Sequence, residues 1–113
     1  MIAAGLVDQL QTLVSRRVSP LEAAVVTVGT LHAGTAPNII PGAANLTGTV
    51  RTLSEKLRVK IERELTGLVE HFARAHGGSA EGKYMHGSRA LENHRGLVEF
   101  LKRPRPRRSR ATR

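Results

Sequence analysis

Apolar residues recur near the start of the chain in steps of three and four, at Ala3, Leu6, Val7, Leu10, Leu13 and Val14. Such spacing draws one apolar stripe along a helix. Asp8, Gln9 and Gln11 interrupt the run, so the predicted helix is amphipathic. Arg16 and Arg17 supply the positive charge that a helix's carbonyl end favours, and Pro20 forbids continuation. The pattern then changes. Ala24–His32 is rich in β-branched residues and predicts a strand. Residues 33–42 hold Gly34, Pro37, Pro41 and Gly42, which predicts a long irregular connection. Alternation resumes over Asn45–Thr52, with Leu46, Gly48 and Val50 on one side and Thr47, Thr49 and Arg51 on the other. That is the pattern of an antiparallel strand with one buried face.

A second helix follows. Ser54 can cap it, and Glu55 stands in the first turn where negative charge helps. Leu57, Ile61, Leu65, Leu68 and Phe72 step by four, four, three and four, the strongest periodic signal in the sequence. Gly77 and Gly78 supply a positive-φ stop. Ser79–His86 predicts a last strand, weakened by Gly82, and Gly96–Leu101 a short helix. Arg103–Arg113 alternates Pro and Arg and predicts a disordered basic tail, since it has nothing to bury. The order helix, strand, strand, helix, strand predicts an α+β fold with both helices on one face of an antiparallel sheet.

Composition changes this picture in three ways. Phe72, Phe100 and Tyr84 are the whole aromatic set, so the core must be built from Leu, Val, Ile and Ala. The chain has no cysteine, which excludes disulfides and thiolate metal sites and is compatible with the cytoplasm, the expected location. No apolar run is long enough to span a membrane and no export signal is recognisable, so no membrane partner is expected. The formal charge of +9 is unevenly placed. Seven of the eighteen basic residues lie from Lys102 onward, leaving eleven basic against nine acidic side chains before it. Clustered guanidinium groups can neutralise phosphates, so nucleic-acid binding through this tail is the alternative function. Against it, no aromatic residue follows Phe100 to stack on bases, and no helix–turn–helix or zinc pattern accompanies the tail. A frame change in GC-rich DNA would also produce such a run of Pro and Arg.

Two segments carry a resemblance. One is Gln11–Gly29; the other is Leu31-His32-Ala33-Gly34-Thr35-Ala36-Pro37-Asn38-Ile39-Ile40-Pro41 followed by Leu46–Thr52. Together they resemble the lid domain of the M20 metallopeptidase family, especially its amidohydrolase branch of hippurate hydrolases, indole-acetyl-amino-acid hydrolases and N-acetyl-diaminopimelate deacetylases. The likeness covers residues 2–87 and is most specific over His32–Pro41. It implies a lid and dimerisation domain over residues 1–87, a return into a catalytic domain over 88–102, and an unrelated tail over 103–113. It further implies a ferredoxin-like βαββαβ lid joined to a second subunit, either a copy of itself or an intact homologous enzyme. The family's first lid strand has no counterpart here, so a partial fold is expected. Because that strand is interior, its absence implies a gap with unpaired backbone groups.

The resemblance implies a parent reaction, hydrolysis of N-acyl amino acid amide bonds, with two divalent ions drawn from Zn, Mn, Co or Ni. Such a pair needs several His and carboxylate ligands and a general-base carboxylate. None of His32, His71, His76, His86 and His94 has an Asp two positions later, and no two Glu are adjacent. No bound metal is therefore expected, and the chain is expected to be inactive alone. His32 is implied to reach a partner subunit's active site and stabilise the oxyanion, as a donor placed where negative charge develops can do. Asn38 is implied to contact substrate, its amide able to donate and accept. The local alternative is that His32 merely ends a strand and Asn38 merely serves a turn. His71 and His76, five apart, do not share a helix face as paired ligands would.

Overall fold

A computed structural model describes residues 1–102. Its elements are α1 (Ile2–Arg17), β1 (Ala24–Ala33), β2 (Ala44–Thr52), α2 (Glu55–Ala75) and α3 (Arg95–Lys102). The expected tail over Arg103–Arg113 lies outside the described residues.

Leu6, Leu10 and Leu13 form the buried face of α1 and meet Val69 of α2, with Val28, Leu65, Leu68, Phe72 and Ala80 packed around them. Leu13 is 1% exposed, so its side chain contributes about 1.5–3 kcal/mol by leaving water. On α2 the most buried residues are Leu57, Ile61, Val69 and Ala73. The ridge thus runs mainly in steps of four, and Leu68 and Phe72 sit at its margin, only partly buried.

Both ends of α2 follow from local chemistry. The Ser54 hydroxyl accepts from the Leu57 N–H, satisfying one of the helix's orphan donors. At the other end Gly77 takes φ +76°. There the Gly78 N–H donates to the Ala73 carbonyl and the Gly77 N–H to that of Arg74, a Schellman stop.

β1 and β2 pair antiparallel as a two-stranded sheet, Ala24 opposite Thr52 and Ala33 opposite Ala44. α1 packs on β1, α2 on β2, and the helices on each other. Ala24, Val26 and Val28 of β1 and Leu46, Val50 and Thr52 of β2 are the partly buried positions, so both helices lie on one face. The α+β arrangement is as the sequence implied.

The expected strand over Ser79–His86 does not form. Ala80, Gly82 and Tyr84 are half-buried between exposed neighbours, the alternation of a strand. Yet among the described residues no backbone–backbone hydrogen bond involves residues 79–93. The segment lies along α2, where the Arg58 guanidinium reaches the Gly87 carbonyl and His86 Nε2 stands 2.9 Å from Glu62 Oε2. It has strand periodicity without a strand beside it. α3, also expected, buries no side chain.

One clamp joins the helices at the C-terminal end of α1. Arg17 Nη1 donates to Glu64 Oε2 at 2.6 Å, and Lys60 Nζ donates to the Arg17 carbonyl at 2.8 Å. The hydrogen bond from Arg17 holds the Glu64 carboxyl below its ordinary range, and the charges of Arg17, Arg63 and Lys60 add to this against the cost of desolvation. A carboxyl depressed in the folded state stabilises above the unfolded carboxylate range and ceases to do so as pH falls through its folded value. Thermal unfolding followed from neutral pH to below about pH 4 should therefore show wild type losing its advantage over Glu64→Gln on acidification. A constant difference across that range would contradict the clamp.

Candidate functional site

The family-implied residues sit at one end of the β1–β2 hairpin, and a register shift decides where they point. Val28 pairs with Gly48, but Thr30 pairs with Thr47, so Gly29 is an extra residue on β1. Such a bulge reverses the alternation beyond it. Before it Ala24, Val26 and Val28 face the helices. After it Leu31 opposes Leu46 on the helix side, while His32 opposes Asn45 with Thr30 and Thr47 on the helix-free side. The Thr30 and Thr47 hydroxyls hydrogen-bond to each other there. Without the bulge, His32 would point toward the helices. Sequence reasoning missed this feature, although a lone glycine within a β-branched run is its usual signal.

The connection over residues 34–43 begins with Gly34 at φ +83°, where a Cβ would come within 3.8 Å of the Pro41 ring. A tight turn follows, with the Ile39 N–H donating to the Ala36 carbonyl at 3.3 Å and Pro37 and Asn38 at its centre. Pro37 presets the first central φ, and Asn38 keeps an ordinary negative φ. Asn38 is exposed, and its side-chain amide makes no hydrogen bond among the described residues. His32 is likewise exposed and without a hydrogen-bond or ion-pair partner among them. Ile39 and Ile40, 60% and 94% exposed, give the same loop an apolar tip. Polar groups and apolar surface with no intramolecular partner suit contact with a second body.

The other histidines are occupied locally. His71 Nδ1 faces the Gly67 carbonyl and His76 Nδ1 the Phe72 carbonyl, each one helical turn back. His86 pairs with Glu62, and its ring meets the edge of Tyr84. Burial and the Glu62 charge push the Tyr84 hydroxyl up from its ordinary value. Among the described residues no three His, Cys, Asp or Glu side chains come together, so the residues present do not fit a two-metal site. No described helix is long and apolar enough to cross a membrane.

Residues 1–77 match the family described as peptidase dimerisation domain. The chain is 39% identical over 100 residues to the N-acetyldiaminopimelate deacetylase of Streptococcus sanguinis, covering 88% of this chain and 26% of that protein. It is 41% identical over 93 residues to the N-acyl-L-amino acid amidohydrolase of Geobacillus stearothermophilus, covering 82% of this chain and 25% of that one. A crystal structure of an aminohydrolase from methicillin-resistant Staphylococcus aureus superposes with TM-score 0.78 at 31% identity, over 88% of this chain and 26% of its own. The chain spans about a quarter of the length of these relatives. Nothing among these similarities supports the nucleic-acid alternative, whose basic residues lie mainly outside the described part.

Gly48 holds the hairpin that presents this loop. A Cβ at Gly48 would run into the Thr27 carbonyl oxygen of the paired strand. Gly48→Ala should therefore cost about 1–3 kcal/mol in urea unfolding, as overpacking does. Gly42→Ala, with nothing within 4 Å, should change stability by less than about 0.5 kcal/mol. Equal effects would refute the close approach.

Proposed function

The chain belongs to the M20 peptidase dimerisation family, and we propose that it is the lid and dimerisation module of an amidohydrolase acting on N-acyl amino acids. The observation that carries this reading is the hairpin loop, with His32 and Asn38 exposed and unbonded beside the apolar tip of Ile39 and Ile40. Among the described residues nothing uses the His32 ring or the Asn38 amide.

In this reading residues 1–87 are the lid and residues 88–102 lead back toward a catalytic domain. Self-association joins two lids, the open edge of β1 offering ten residues of backbone for pairing. The divalent ions of the parent enzyme (Zn, Mn, Co or Ni) belong to another part of it, since the residues here do not form their ligand set. His32 serves in trans: an imidazole N–H held near a partner's substrate donates to the oxyanion of the tetrahedral intermediate. Asn38 orients the substrate with an amide that the turn leaves unused. The helix-free direction imposed by the Gly29 bulge is what makes His32 available to another subunit.

Two measurements test this. Sedimentation of the purified chain should show a monomer–dimer equilibrium that shifts with concentration; a monomer at all concentrations would argue against the dimerisation role. The second pairs the chain with Geobacillus stearothermophilus amidohydrolase subunits in which the residue aligned with His32 is alanine. The wild-type chain should restore hydrolysis of an N-acetyl amino acid, and His32→Ala should restore about a hundredfold less. Equal rescue by both would remove His32 from the reaction. The chain alone, with Mn, Co or Zn ions added, should show no turnover.

A further inference from the structure

His32 is the only ionisable side chain between Glu22 and Arg51. No charged group along that stretch can therefore steer its ring. What faces it instead follows from the register. Asn45 stands directly opposite on β2, and both side chains are exposed on the helix-free side of the sheet. Thr30 lies two residues before His32 on the same side, with Thr47 opposite it. We propose that Asn45 is a positioning residue for His32: its amide N–H donates to His32 Nδ1 and so keeps the ring proton on Nε2. The inference rests on the proposed role of His32 in trans and assigns the group that makes its ring a donor.

A neutral imidazole carries one N–H and one bare nitrogen, and the hydrogen bond made at one decides the state of the other. To stabilise an oxyanion, the nitrogen that reaches the partner must hold the proton. Residues directly opposite in an antiparallel pair have Cβ atoms about 4.5–5.5 Å apart. Nδ1 is the ring nitrogen nearer the backbone, within an amide's reach across that gap. Nε2 stands at the far end of the ring, where a second subunit can approach it. An amide suits the task because it both donates and accepts. Should the ring gain a second proton, the same group turned over accepts from Nδ1–H. Nε2 keeps its proton in both states.

The neighbouring groups leave this task to Asn45. The Thr30 and Thr47 hydroxyls are hydrogen-bonded to each other. Among the described residues the Asn45 amide makes no hydrogen bond, so rotation about its own side-chain bonds is all that contact with the ring requires. Thr35 and Asn38 lie in the loop beyond the last paired residues, Ala33 and Ala44. Arg51 shares the exposed row of β2 with Asn45, Thr47 and Thr49. Six residues of strand separate it from Asn45, roughly 20 Å. Both helices pack on the opposite face.

Two readouts keep this inference and the proposed function apart. The first is nitrogen NMR of the His32 ring in the intact 113-residue chain. It is recorded above about pH 8, where an ordinary imidazole is neutral. Wild type should show the proton on Nε2 and a hydrogen-bonded Nδ1. Asn45→Ala should return the ring to the tautomer mixture of free histidine. Asn45→Asp, whose carboxylate can only accept, should move the proton to Nδ1. Asn45 is exposed, so these variants keep the fold, and the backbone amide shifts of β2 check that. Identical ring signals in wild type and Asn45→Ala, or an Nδ1–H ring in wild type, would overturn the inference. The second readout is rescue of the alanine-bearing amidohydrolase subunits. Asn45→Ala should lower the restored kcat about five- to tenfold at unchanged KM, as loss of one hydrogen bond made in the transition state does. An unchanged kcat would overturn the inference as well. If the wild-type chain restores no hydrolysis, the subunit reading fails and the ring spectra still decide the pair.

Discussion

The contact between α1 and α2 carries the rest of the fold. An isolated two-stranded hairpin is marginal in water, and β1–β2 is such a pair. It becomes a sheet because Leu6, Leu10 and Leu13 lock α1 onto Val69 of α2 and Val28 reaches up into that cluster. The helices approach closely enough that a Cβ at Gly5 would come within 3.0 Å of the Phe72 ring. Two helices side by side are wider than two strands, however. The sheet supports α1 through β1 and α2 through β2, and a hollow beside β2 is floored by helix surface that no strand reaches. That uncovered helix surface lies where the sequence implied a gap beside β2.

Most of this was legible in the sequence where a single period governs a whole element. The α1 stripe, the Ser54 cap and the Gly77 stop could be read because each is local. The exchange of Leu68 and Phe72 for Val69 and Ala73 at the deepest positions of α2 could not. Two helical faces differing by one residue look equally apolar, and the angle at which α1 crosses selects between them. The bulge was less legible still. Ala24–His32 reads as one strand by composition, and only the partner's register shows that Gly29 is extra. The orientation of His32 depends on that one residue, so the residue type of the site was visible and its direction was not.

The segment after Gly78 teaches the complementary lesson. Its residues have strand-like alternation and burial to match, yet no ladder. Strand character in a sequence expresses fitness for a pleated, half-covered surface; becoming a strand requires a neighbour in hydrogen-bonding distance. Ser79–His86 meets the first condition and lacks the second, which is why the sequence predicted an element that the fold leaves unpaired. The same reasoning explains why its backbone tolerates the situation: facing a groove open to water, its N–H and C=O groups can be hydrated rather than orphaned.

These two features meet at β2. One edge of that strand pairs with β1 and fixes Asn45 opposite His32; its other edge borders the hollow. The backbone that sets the hairpin's register is thus the backbone that borders the hollow, and fraying of β2 would release His32 and Asn45 from their pairing as it disordered that wall. The helices beneath are held independently of the hairpin, Arg17 donating to Glu64 and Lys60 to the Arg17 carbonyl.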